Sequence, residues 1–214
     1  MTKICVLGTL MVSICGAQFL EPTPAEVDAR EAAYRARLEL PEVSPARSAA
    51  GSVSVAQLRH KPPRRAQKFL ERGARLSQAG DHPRAAQEFE RAVAADPKFA
   101  NAYRSLGVEY ALWGRYAEAE VEFQRSLTLD PDSLAGHYGL SVILFQTGDL
   151  SGAERGLRRT LELSKANVKA HILLGFLLWS RVETRAEALE HLQYAARSSS
   201  EAKELLESLE GNQR

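Results

Sequence analysis

Five histidines, at 60, 82, 137, 171 and 191, are the side chains best suited to chemistry in this chain. His137 and His171 form the pair of interest, because they lie 34 residues apart in a sequence that repeats at that interval. An ion held by imidazole wants three or four protein ligands, and no further histidine or carboxylate is spaced to complete the set, so no metal is expected. Glu118 and Glu122 stand four apart, which on a helix makes one solvated acidic face rather than an acid-base couple. Glycine-rich phosphate loops, a nucleophile elbow and a metalloprotease helix are all missing from the sequence. Cys5 and Cys15 are the two cysteines, so everything after them is without a disulfide, a thiolate site or a cysteine nucleophile. These residues predict neither catalysis nor a cofactor; a metal-dependent enzyme is the remote alternative.

Charge excludes another class. The chain has 28 basic and 27 acidic residues, and the two become equal once Lys3 is lost with an N-terminal leader. A protein that grips nucleic acid by its phosphates shows a basic excess, so no nucleic-acid partner is expected.

The elements that position these residues follow from a repeat. In Ala100 to Ser133, the marked positions are Tyr103, Leu106, Gly107, Tyr110, Gly114, Tyr116, Ala119, Phe123, Ser126 and Pro131. Stepping 34 residues back gives Phe69, Gly73, Leu76, Ala85, Phe89, Ala92 and Pro97. Stepping forward gives His137, Leu140, Leu144, Gly148, Leu150, Ala153, Leu157 and Thr160. A further, altered copy comes after them. This period and order of residue types resemble the tetratricopeptide repeat, a helix-turn-helix unit of the same length. The resemblance covers residues 66 to 200 and implies an all-α, right-handed α-solenoid of about four hairpins, used as a protein-binding surface.

The expected repeats lie near 66–99, 100–133, 134–167 and 168–200, within a solenoid over 63–200. Their helices are expected at 66–79 with 82–95, 100–113 with 116–129, 134–147 with 150–163, and 168–180 with 185–198. Gly80, Gly114 and Gly148 mark the turns, and Asp96-Pro97 and Asp130-Pro131 close the first two units, since proline cannot continue a helix. The fourth unit breaks the pattern: Arg181 to Arg185 replaces the glycine turn, and Ala188, Leu192 and Ala195 fit only with one residue inserted. Over 200–210, Ala202, Leu205, Leu206 and Leu209 share one face, as the end-capping helix of a solenoid requires.

Ahead of the repeats, residues 1–17 carry one Lys, an apolar run from Ile4 to Ala17 and no acid, the pattern of an export signal cleaved after Ala17. Acylation at Cys15 and an uncleaved membrane anchor are the rivals, and a buried helix is the plain alternative. The expected destination is the periplasm or the exterior, with membrane attachment only if the leader is retained or Cys15 is lipidated. Residues 18–62 form an arm and linker, with a short helix near 24–38 started by Thr23, Pro24 and Glu26. Arg59 to Arg65 is a basic cluster broken by two prolines and is expected to be solvated linker.

In the family, the first helix of each hairpin lines a concave groove. Carried over by position, the peptide-binding residues are Leu70, Arg104, Val108, Leu112, Tyr138, Val142, Phe145, Ile172, Phe176 and Trp179. The run from Ile172 to Trp179 is apolar on every side, so something should cover it. Full burial of the nine apolar groove residues, at about 1.5 to 3 kcal/mol each, offers well above ~10 kcal/mol, against about 8 for micromolar binding. The expected guest is an apolar peptide or helix of another protein. The alternative is a self-assembling structural subunit, a homo-oligomer whose own arm fills the groove. The family's clamp for acidic chaperone tails is missing: its places hold Leu70, Ala74, Ser105, Ala135 and Gly139.

Overall fold

The structure is a computed structural model that describes residues 60–211. The leader over 1–17, the helix near 24–38 and the linker up to residue 59 lie outside the described residues. Among the described residues are nine α-helices and one short 3-10 turn: α1 (Arg64–Gln78), α2 (His82–Ala95), α3 (Ala100–Leu112), α4 (Tyr116–Leu129) and α5 (Leu134–Thr147), then α6 (Leu150–Leu163), α7 (Val168–Trp179), α8 (Arg185–Ala196) and α9 (Ser200–Gly211). No strand occurs among the described residues. Nor is any described helix long and apolar enough to cross a membrane.

Local chemistry sets the ends. Gly80, Gly114 and Gly148 take φ values of 80°, 73° and 90°, a left-handed conformation that costs side-chain-bearing residues about 1–2 kcal/mol. Helix starts are capped by short polar side chains: Ser133 Oγ accepts from Gly136 N–H at 3.2 Å, Asp149 Oδ1 from Gly152 N–H at 2.9 Å, and Asn167 Oδ1 from Ala170 N–H at 3.0 Å. Each answers an amide that a helix start leaves without a partner.

Packing follows the repeat. Phe89, Phe123, Leu157 and Leu192 fill one slot in successive second helices, all at most 1% exposed. Opposite them the first helix needs a residue without a side chain. A Cβ on Gly73 would sit 2.5 Å from the Phe89 ring, one on Gly107 3.1 Å from the Phe123 ring, and one on Gly175 2.7 Å from Leu192. In the third hairpin that glycine has become Ser141, and the space is returned from the other side. Gly156 on α6 faces it, where a Cβ would lie 2.2 Å from Ser141 Oγ.

The interval from glycine to its partner is 16 residues in the first two hairpins and 17 in the last. This is the inserted residue: the 3-10 turn Val182–Thr184 stands where the glycine turn was. α8 then ends at Ala196 rather than 198, and α9 begins after only three linking residues. Extensive contacts join helices of one hairpin or of consecutive hairpins, with α9 laid against α8, the nearest-neighbour construction of a solenoid.

Candidate functional site

All ten expected groove residues fall on first helices: one on α1, three on α3, three on α5 and three on α7. Three of them offer no surface. Val108 is 4% exposed, Tyr138 6% and Val142 1%. Val108 packs with Phe123 and with Ile143 of the following first helix. Its position is where consecutive first helices touch, so the side chain wedges between repeats instead of facing a ligand. Burial also pushes the Tyr138 hydroxyl pKa up to about 12, with the Glu201 carboxylate of α9 adding to the shift.

The other seven are half-buried. Leu70 leans on the first-hairpin core and Leu112 on the cluster around Phe123. Burial lowers the Arg104 pKa, an effect that the nearby Asp130 carboxylate partly offsets. Within the run from Ile172 to Trp179, Leu173, Leu174, Gly175, Leu177 and Leu178 are buried. Ile172, Phe176 and Trp179 are left, spaced four and three apart on one stripe. Phe145 on α5 continues it, its ring 6.0 Å from that of Phe176 in an edge-on contact. The Arg185 guanidinium lies 5.6 Å from the Trp179 ring and covers part of it.

These exposures correct the binding energy expected from the sequence. With the buried members set aside and the rest already half out of water, Phe145, Ile172, Phe176 and Trp179 offer about 1 kcal/mol each. The sum, about 4 kcal/mol, matches millimolar rather than micromolar affinity. The stripe is an anchor, and a tight ligand needs polar contacts as well.

The histidines are arranged differently from the sequence pairing. His137 does not meet His171; its Nε2 lies 2.9 Å from the Pro131 carbonyl. His171 repeats that contact with the Lys165 carbonyl at 3.0 Å and turns Nδ1 toward Nδ1 of His191, at 2.9 Å. Among the described residues no group of three or more His, Cys, Asp or Glu could hold a metal ion.

Sequence reasoning also missed a buried histidine–carboxylate contact. His82 Nδ1 on α2 and Glu109 Oε2 on α3 are 2.7 Å apart, with side chains 4% and 0% exposed. The signal was present, because Glu109 occupies a place that Arg75, Ile143 and Leu177 hold at the 34-residue spacing. An acid where two of three equivalents are apolar must be answered by a partner. On α1 and α2, Arg65, Phe69, Arg91, Ala94 and Ala95 border a cleft of about 440 Å³ that includes none of the ten groove residues.

Helix hairpins stacked in chain order, with a bulky residue of the second helix against a glycine of the first in the first, second and fourth hairpins, define a helical-repeat solenoid. The sequence comparisons give the repeat its family. Tetratricopeptide-repeat models match residues 70–133 and 114–175, and these residues are tetratricopeptide repeats. Among solved structures the chain is similar to MamA, with a TM-score of 0.57 and 18% identity over 84% of this chain and 90% of that one. It is also similar to YrrB, described as a TPR protein with an unusual peptide-binding site, with a TM-score of 0.59 and 21% identity over 68% of this chain and 76% of that one. The first TPR domain of Spaghetti (RPAP3), bound to the HSP90 peptide SRMEEVD, aligns with a TM-score of 0.54 and 20% identity over 54% of this chain and 92% of that one. At these identities the fold is what is shared. No curated protein matches the sequence.

Proposed function

We propose that the chain is a non-enzymatic interaction scaffold that holds an apolar peptide or helix of another protein against α5 and α7. The leader sequence makes the cell envelope or exterior the place where it works. One observation carries the reading. Packing buries five residues of the Ile172–Trp179 run and leaves Ile172, Phe176 and Trp179 as a stripe that Phe145 extends across two repeats. A stripe of that spacing fits the apolar side of one helix or extended segment. Peptide binding by YrrB and by the Spaghetti domain supports the class of ligand. The acidic HSP90 tail itself is not the expected guest, since Leu70, Ala74, Ser105, Ala135 and Gly139 stand where the clamp would be.

The test places a photoreactive residue at Phe176 in the full chain, with Val121, 43% exposed on α4, as the control position. Irradiation in cells should yield a product from position 176 but not from 121, with the crosslink mapping to an apolar segment of another protein. A crosslink to the chain's own residues would establish the self-assembling reading instead. Equal products from both positions, or none from 176, would sink both.

A further inference from the structure

Of the ten groove residues, Arg104 alone is charged. At the 34-residue interval its equivalents are Leu70, Tyr138 and Ile172, so a guanidinium stands where the other three hairpins place an apolar or aromatic side chain. It is half-buried, and burial lowers its pKa against the influence of the Asp130 carboxylate. A guanidinium offers five N–H donors in a fixed fork and no acceptor. Among the described residues, those of Arg104 meet no hydrogen-bond or salt-bridge partner, Asp130 acting on it only at longer range. Asn101, one turn earlier on α3 and also half-buried, likewise makes no side-chain hydrogen bond among the described residues.

Arginines outside the groove are answered by carboxylates. Arg91 meets Glu88 at 2.5 Å, Arg125 meets Glu122 at 2.8 Å, Arg158 meets Glu187 at 2.6 Å and Arg159 meets Asp132 at 2.9 Å. Those four side chains are 42 to 60% exposed, so water would have served them as well. Arg104 is the reverse case, more deeply set and without an ion-pair partner of its own. Desolvating a charge without pairing it costs stability, and Leu70 shows that an aliphatic side chain fits the same place in the repeat. The fold does not ask for this guanidinium; a ligand would.

We propose that Arg104, with the Asn101 amide beside it, receives an Asp or Glu side chain of the guest and so selects apolar segments that carry an acid at a set distance. The proposal rests on the groove being a peptide site, and it supplies the polar contact that the apolar stripe lacks. A guanidinium fork takes a carboxylate through two parallel N–H···O bonds, and charge-assisted bonds of that kind are the strong ones. Arg104 is not one of the chaperone-clamp places, which hold Leu70, Ala74, Ser105, Ala135 and Gly139. The spacing follows from the stack. Val108 of α3 touches Ile143 of α5, and Phe145 of α5 meets Phe176 of α7. Packed helices lie about 8–10 Å apart, which puts Arg104 about 16–20 Å from the stripe on α7. An extended chain rises about 3.3 Å per residue, so the acid belongs about five or six residues from the apolar side chains seated on the stripe.

The test selects peptides from a displayed library of random dodecapeptides on the full chain, in parallel with Arg104→Gln and Phe176→Ser. The parent should enrich peptides that combine an apolar cluster with an Asp or Glu about five or six residues away. Arg104→Gln should keep the apolar cluster and lose the acid, and Phe176→Ser should lose the apolar cluster. For one selected peptide, Arg104→Gln in the protein and acid-to-amide exchange in the peptide should each weaken binding about 10- to 100-fold. The two changes together should weaken it hardly further, the mark of a direct pair. Apolar peptides enriched by the parent without an acid would overturn this proposal and leave the apolar stripe as the binding site, whether or not the variants fold. An acid retained by peptides selected on folded Arg104→Gln would overturn it too. No enrichment on the parent would end both this proposal and the peptide-binding function beneath it.

Discussion

Two glycines of this chain are irreplaceable for different reasons, and substitution can tell them apart. A Cβ on Gly114 meets nothing within 4 Å, but the residue has a φ of 73°; a Cβ on Gly139 lies 2.4 Å from the ring of Phe123. Gly114→Ala should therefore cost about 1–2 kcal/mol through backbone conformation. Gly139→Ala should cost about 1–3 kcal/mol through overpacking, because Phe123 is 1% exposed and cannot retreat. Asparagine tolerates left-handed backbone, so Gly114→Asn should recover part of the first loss, whereas Gly139→Asn should be worse than alanine. Urea unfolding of the four variants checks this. His191 gives stability a pH response of its own. Burial and His171 lower its folded pKa, so the unfolded chain takes up its proton first as pH falls. The contribution is complete above an unfolded pKa of about 6.5 and is lost below it. Melting profiles from pH 8 to 5 should fall more steeply for the parent than for His191→Gln, and parallel profiles would show that His191 plays no part.

At the scale of the helix, the repeat was readable because a side chain is buried by the turn it belongs to. Ala85, Ala119, Ala153 and Ala188 are all 0% exposed, as their place in the template demands, and the extra residue before Ala188 could be counted from spacing alone. Which face of a first helix stays open was less legible. Val108, Tyr138 and Val142 carry groove positions in the template, yet their exposure depends on how closely the next repeat approaches, which spacing within one repeat cannot report. The His171–His191 contact was hidden for a similar reason: His191 has no counterpart at the repeat interval, and only the folded hairpin brings α8 to α7. Helix α7 shows the two kinds of apolar residue side by side. Leu178 is 0% exposed, and Leu178→Ala should cost about 2–5 kcal/mol. Ile172 is half-buried on the open stripe, and Ile172→Gln should cost only about 1 kcal/mol while weakening capture at Phe176. Chemical denaturation separates the two, and comparable losses would mean that the stripe is core.

For the molecule as a whole, stability is expected to be distributed repeat by repeat, because extensive contacts reach no further than the adjoining hairpin. The first two hairpins carry an additional tie, the buried His82–Glu109 pair. The last is closed by α9, whose Ala202 and Leu209 are 0% and 6% exposed against it. Removing α9 by ending the chain after Arg197 uncovers the outer face of α8, and a solenoid transmits such a loss only to neighbours. Amide exchange in the shortened chain should accelerate in α7 and α8, fade through α5 and α6, and leave α1 to α4 close to the parent. Because α7 carries Ile172, Phe176 and Trp179, the same truncation should reduce crosslinking from position 176. Uniform acceleration across all hairpins would show instead that the array unfolds as one cooperative block, and that the end helix stabilises the whole protein rather than the open stripe beside it.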